Sequence, residues 1–211
     1  MFSLSTKLKN IVLRKMLAGK ILLLFLKGWI LNVQSCSFLV ANFQLPRSES
    51  QEFSHINHYL KLRGPDYTNI ETHHNITFVH NLLSMTGKFN PQPFVSREKD
   101  IVILFNGEIY NYKDFGHFES DGDCLLPLYE KFGESFFGHL DGEFAIVVFD
   151  FSKQLVLVSS DVFGTKPLWF AHEKHRFCIS SYKSALVRLK FLESSIKHFR
   201  ANTITRYHCT V

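Results

Sequence analysis

The string Phe105-Asn106-Gly107-Glu108-Ile109-Tyr110-Asn111 follows an apolar run, and its residue types suit acyl chemistry. An Asn-Gly pair at a strand end ordinarily makes a turn, and taken alone the pair favours that reading. The other arrangement has Asn106 aim its side-chain N–H at a reacting carbonyl oxygen while Gly107 offers its backbone N–H from the same side. Two converging donors of this kind form an oxyanion hole. The thiols are Cys36, Cys124, Cys178 and Cys209, with no CxxC pair and no His/Cys spacing suited to zinc. A chain of this length needs no disulfide staples, so the expectation is a reducing, cytoplasmic compartment with two cysteines of no chemical interest. By itself Cys36, at the head of an apolar strand, reads as a small buried hydrophobe. Asp121 stands before a helical run, where capping the helix and binding a ligand are both open to it. Glu119, Asp121 and Asp123 resemble a cation cluster, but the EF-hand spacing and its distal glutamate are missing, and no metal site is expected.

The elements that must position these residues can be read from Cys36 onward. Residues 37–43, 76–80 and 101–105 are apolar, β-branched or aromatic and read as strands. Ser50 or Ser54 can cap a helix running to about Leu62, which Arg63-Gly64-Pro65-Asp66 then breaks. Residues 125–132 read as a helix. Residues 143–150 and 154–159 form one hairpin, 168–172 and 176–180 another, and a helix spans about 182–189. His80 and Asn81 read as structural residues at a strand end. Strands apolar on both faces imply a covered sheet, and two such sheets with helices outside make a four-layer sandwich.

The first 35 residues are different. Six of the chain's 24 basic residues lie there with no acidic residue, leaving 18 against 19 acidic ones from Cys36 on. The net charge of +5 is therefore no argument for a nucleic-acid partner, and no zinc-finger, RNP-like or basic-helix pattern appears. Lys20 and Lys27 bracket an apolar run far short of the ~18–20 residues of a membrane span. A basic stretch, a short apolar run and the small residue Ser35 fit a signal-like segment, a propeptide or a start assigned too far upstream. Asn75-Ile76-Thr77 matches a glycosylation sequon, which matters only for a secreted chain.

Together, the segments Cys36-Ser37-Phe38, Arg63-Gly64-Pro65-Asp66 and Asn106–Asn111 resemble the class II (N-terminal nucleophile) glutamine amidotransferase domain of asparagine synthetases. Ser120-Asp121, Leu128-Tyr129, Asp141-Gly142-Glu143-Phe144-Ala145 and the run 161–168 (DVFGTKPL) continue the resemblance in order, over roughly residues 36–186. It implies an α+β fold, the αββα sandwich of N-terminal nucleophile hydrolases, over residues 36–190, with 191–211 as a tail leading towards a synthetase domain. It implies that Cys36 attacks the side-chain amide of L-glutamine and that its own α-amine is the general base. A free α-amine titrates near ~8, close to working pH. Asn106 and Gly107 would hold the oxyanion, and Glu108, Asp121 and Met85 would help bind substrate. Glutamate and ammonia would leave by way of a glutamyl-thioester. No cofactor is implied for this domain; ATP and magnesium belong to the family's synthetase domain.

Three departures from that pattern stand out. Thirty-five residues precede Cys36, so its nitrogen is in a peptide bond unless the chain is cut after Ser35 or begins at Cys36. Leu82 stands where the family carries an arginine that grips the substrate carboxylate, which leaves Arg63, Arg97 or Lys88 as substitutes. No Ser-Gly-Gly-X-Asp-Ser phosphate loop follows, so the implied partner is a separate synthetase domain or subunit. The reading is a glutaminase that supplies ammonia for amide transfer to aspartate, a sugar or another acceptor. The competing reading is a non-catalytic amidotransferase fold that binds a synthetase partner, and a weaker one is a hydrolase of another amide.

Overall fold

The computed structural model describes residues 35–84, 88–98 and 100–209. The extension expected over residues 1–35 lies outside the described residues except for Ser35, and Met85 lies outside them too. Among the described residues, eleven strands are arranged in two antiparallel sheets. The first six in chain order are β1 (Ser37–Ala41), β2 (Tyr67–His73), β3 (Ile76–Leu82), β4 (Phe94–Val95), β5 (Ile101–Ile109) and β6 (Gly142–Asp150). There follow β7 (Leu155–Ser160), β8 (Trp169–Glu173), β9 (Arg176–Ser180), β10 (Ile196–His198) and β11 (Ile204–His208). One sheet has the order β10-β8-β9-β1-β3-β2 and the other β11-β7-β6-β5-β4. Among the described residues, three α-helices accompany them: α1 (Gln51–Arg63), α2 (Leu125–Phe132) and α3 (Lys183–Arg188).

Alternation along the strands sorts side chains into layers, because successive residues point to opposite faces. Phe38 and Val40 of β1 and Phe78 of β3 meet Val102 and Leu104 of β5 and Phe149 of β6 between the sheets. Leu39, Ala41 and Val79 face the other way, onto Phe53, Ile56 and Leu60 of α1 and Ala185 and Leu186 of α3. On the second sheet Ile103, Phe105, Ile146 and Val148 pack under α2 and the 3-10 turns around it. The result is helix, sheet, sheet, helix. That is why β1 and β6 read as continuous apolar runs: both of their faces are covered.

Helix α1 starts where Ser50 accepts a hydrogen bond from the Phe53 N–H at 3.1 Å. It buries Phe53, Ile56, Asn57, Leu60 and Arg63, a stripe at helical spacing. It ends at Gly64, whose Cβ, were there one, would lie 2.1 Å from the Asn81 carbonyl oxygen. Helix and strand are that close because no side chain intervenes.

Three features differ from the expectation. β5 does not end at Phe105 but runs on to Ile109, pairing with β6 through Asn106 and Gly107, so the Asn-Gly pair makes no turn. β2 carries no strand signal in the sequence because it is an edge strand whose residues are exposed or half-buried, with no apolar face to give the period away. Residues 191–211, expected as a tail, contribute β10 to one sheet and β11 to the other, so both sheets extend past residue 190.

Candidate active site

The chemistry-bearing residues gather where β1 begins, at one end of the space between the sheets. Cys36 immediately precedes β1. Its Sγ receives the Leu83 backbone N–H at 3.4 Å and lies 3.7 Å from the Leu83 carbonyl oxygen. Phe38, two residues on, points into the inter-sheet core, and so does Asn106 by its place on β5 with Val102 and Leu104. Ser35 spans the gap: its hydroxyl donates to the Asn106 Oδ1 at 2.6 Å. The Asn106 side chain is fully buried, and its Nδ2 has no hydrogen-bond partner among the described residues. A buried amide N–H held without a partner is what an oxyanion site requires in its resting state.

Gly107 makes that approach possible. Its φ of 151° lies at the edge of the region glycine favours, and a Cβ there would fall 1.9 Å from the Glu143 carbonyl oxygen on β6. Glu108 follows on the same strand and is exposed. Asp121 does not cap the helix: Ser120 is the N-cap of a 3-10 turn, with Asp123 completing a capping box. The Asp121 carboxylate turns back to β5, accepting the Ile109 N–H at 2.8 Å. Burial raises its pKa, opposed by hydrogen bonds including that from Ile109. Glu119 pairs with Lys88 at the surface, and no cluster of three metal-ligating side chains occurs among the described residues.

Two charges act on Cys36. Burial is the chief reason its thiol pKa is raised; the Leu83 N–H and the Arg63 cation lower it, and the Asp121 anion raises it further. Arg63, the last residue of α1, is 5 % exposed and its Nε has no hydrogen-bond partner among the described residues. Its guanidinium lies 5.4 Å from the centre of the Tyr182 ring. Of the three cations considered as substitutes at Leu82, Lys88 is engaged by Glu119 and Arg97 is exposed on a turn. Arg63 alone of the three is buried beside the thiol. Leu82 itself is buried at the end of β3.

Buried polar residues hold this end in place. Asn81, read as structural at a strand end, is the last residue but one of β3, fully buried, where its amide exchanges hydrogen bonds with Asn57 of α1 and receives one from Thr68 of β2. Ser37 donates to the Leu60 carbonyl at 2.7 Å, and the Ser181 hydroxyl accepts the Phe38 N–H at 3.0 Å. A buried polar residue inside an apolar run was the available signal for Asn81. Ser181 comes from 143 residues away, beyond any local pattern.

The glutamine amidotransferase domain profile matches residues 36–210. The chain belongs to the glutamine amidotransferase domain family. Asparagine synthetase [glutamine-hydrolyzing] 2 of Bacillus subtilis is 34% identical over 158 residues, covering 67% of this chain and 21% of that protein. Asparagine synthetase B [glutamine-hydrolyzing] of Escherichia coli is 32% identical over 152 residues, covering 67% of this chain and 27% of the relative. The chain thus spans about a quarter of the length of these relatives. Among solved structures, glutamine phosphoribosylpyrophosphate amidotransferase of B. subtilis, complexed with ADP and GMP, superposes with a TM-score of 0.54. It is 16% identical and covers 78% of this chain and 49% of its own, a likeness of fold. The amidotransferase domain is thus the αββα sandwich of the N-terminal nucleophile type, and the match begins at Cys36 itself.

Proposed function

We propose that this domain hydrolyses L-glutamine to glutamate and ammonia, with Cys36 as nucleophile. The observation that carries the reading is the buried Nδ2 of Asn106, without a hydrogen-bond partner among the described residues, on a side chain held by the hydroxyl of Ser35, the residue next to Cys36. In the proposed reaction the Cys36 sulfur bonds to the side-chain carbonyl carbon of glutamine. The thiol proton passes to the α-amine of Cys36 and from there to the departing ammonia. The oxyanion lies against Asn106 Nδ2 and the Gly107 N–H. Water then cleaves the thioester, returning the proton to the thiol and releasing glutamate. Asp121 and Glu108 would meet the substrate's α-amino end, and Arg63 would answer its carboxylate in place of the arginine missing at Leu82.

The base exists only when the nitrogen of Cys36 is free. With Ser35 attached, that nitrogen is an amide and the serine hydroxyl occupies the Asn106 carbonyl oxygen. We therefore assign activity to the form that begins at Cys36. The ammonia would serve an amide transfer of the asparagine synthetase type, on a separate synthetase domain or subunit, in the cytoplasm. No described helix is long and apolar enough to cross a membrane.

Intact-mass analysis paired with 6-diazo-5-oxo-norleucine tests this. The chain starting at Cys36 should gain one covalent adduct and release ammonia from glutamine, and Cys36→Ala should do neither. A Cys36-initiated chain that ignores the reagent would favour the non-catalytic reading. Undiminished glutaminase activity in Cys36→Ala would place the nucleophile elsewhere.

A further inference from the structure

The far end of β1 carries a second feature that glutamine hydrolysis does not use. Phe43 lies seven residues beyond Cys36, just past the end of β1. It borders a cavity of about 590 Å³ between the loop leading to α1, the start of β9 and the end of α3. Phe43, Leu45, Ile56 and Leu189 give it an apolar lining. Around that lining stand four cations, Arg47, Arg176, Arg188 and Lys190, against one carboxylate, Glu52.

The cations are of two kinds. Arg176 is fixed: its guanidinium lies 4.2 Å from the Phe43 ring centre and 4.8 Å from that of Phe191, and Nη2 donates to the Leu189 carbonyl at 3.1 Å. Arg188 is fixed as well, donating to the His55 carbonyl and lying 4.6 Å from the Tyr59 ring centre. Arg47 and Lys190 are exposed, and their side chains make no hydrogen bond or ion pair among the described residues. Lys190 is presented by a helix-ending turn at φ 65°, held by its own N–H on the Val187 carbonyl at 2.9 Å. A cavity with held cations, free cations and an apolar wall suits a ligand that is charged at one end only.

We propose that this cavity binds a small organic anion, a carboxylate, sulfonate or phosphate head on an apolar or flat-ring body. The body lies along Phe43, Leu45 and Leu189, and the head meets Arg47 and Lys190 with the fields of Arg176 and Arg188 behind them. The site is separate from Cys36 and does not depend on the proposed glutaminase activity.

Titration of the full chain with 1-anilinonaphthalene-8-sulfonate, followed by fluorescence at low salt, tests the site. One equivalent should bind, and N-phenyl-1-naphthylamine, the same rings without the sulfonate, should bind about tenfold more weakly or worse. The double variant Arg47→Glu, Lys190→Glu should lose about tenfold in affinity while unfolding at the parent temperature. Lys131→Glu, on α2 beneath the other sheet, should leave binding unchanged. Displacement by octanoate or by AMP would identify a carboxylate or a phosphate as the preferred head. Equal binding of the neutral amine, indifference to the double charge reversal, or displacement by neither competitor would overturn the proposal.

Discussion

Cys36 shows how far the surroundings of one side chain decide its chemistry. Burial disfavours its thiolate and the Asp121 anion adds to that, while the Leu83 N–H and the Arg63 cation act the other way. Removing either charge should therefore shift the thiol in opposite directions. Asp121→Asn should speed alkylation of Cys36 by iodoacetamide at pH 8, and Arg63→Met should slow it, each by about two- to fivefold. Peptide mapping keeps the readout on Cys36 rather than Cys209. His80 makes a second residue-scale case. It is fully buried on β3, both ring nitrogens lack partners among the described residues, and burial lowers its pKa from 6.5 to about 3. Between those values the unfolded chain takes up a proton that the native protein refuses. The associated stability is whole above pH 6.5 and is lost as pH falls towards 3. Denaturant unfolding at pH 5 should give a stability about 2 kcal/mol below that at pH 7.5, and His80→Leu should abolish that part of the slope.

At the scale of elements, the pairing of β5 with β6 sets the site. Gly107 on β5 and Gly142 on β6 each lie against the partner's backbone: added Cβ atoms would sit 1.9 Å from the Glu143 oxygen and 2.2 Å from the Glu108 oxygen. The strands can continue past Phe105 only because both positions lack side chains. Gly107→Ala should cost about 3 kcal/mol or more in denaturant unfolding, since the clash is with backbone that cannot move aside. It should also displace Asn106, so residual folded protein should react poorly with 6-diazo-5-oxo-norleucine. A fully stable Gly107→Ala would show that the strands do not need this contact.

For the molecule as a whole, the two sheets are joined by aromatic packing. Phe149 of β6 meets Phe78 of β3 edge to face, with ring centres 5.2 Å apart, and stacks near Phe151 and Phe177. It is 1 % exposed and takes part in the core shared by both sheets. Phe149→Ala should destabilise the fold by about 3–5 kcal/mol, read as a lower midpoint of urea unfolding. Because Cys36 and Asn106 come from opposite sheets, the same variant should also lower reactivity at Cys36 beyond the loss of folded protein.

Much of this protein is legible along the chain. Ser50 and Gly64 bound α1, and the hairpins β6–β7 and β8–β9 follow from apolar runs separated by short polar turns. The ordered segments from Cys36 to the run 161–168 carry the family, because each is a short string whose chemistry is local. What only the tertiary structure decided depends on distant parts of the chain meeting. The Asn-Gly pair is strand rather than turn because β6 lies beside it, and Asp121 serves β5 rather than its own helix. Arg63 rather than Arg97 or Lys88 is the cation beside the thiol because α1 ends against β3. Cys36 opens the domain by sequence, but its setting is assembled from residues tens of positions away. Local propensity is written in neighbouring side chains, whereas burial and charge at a point depend on everything folded around it.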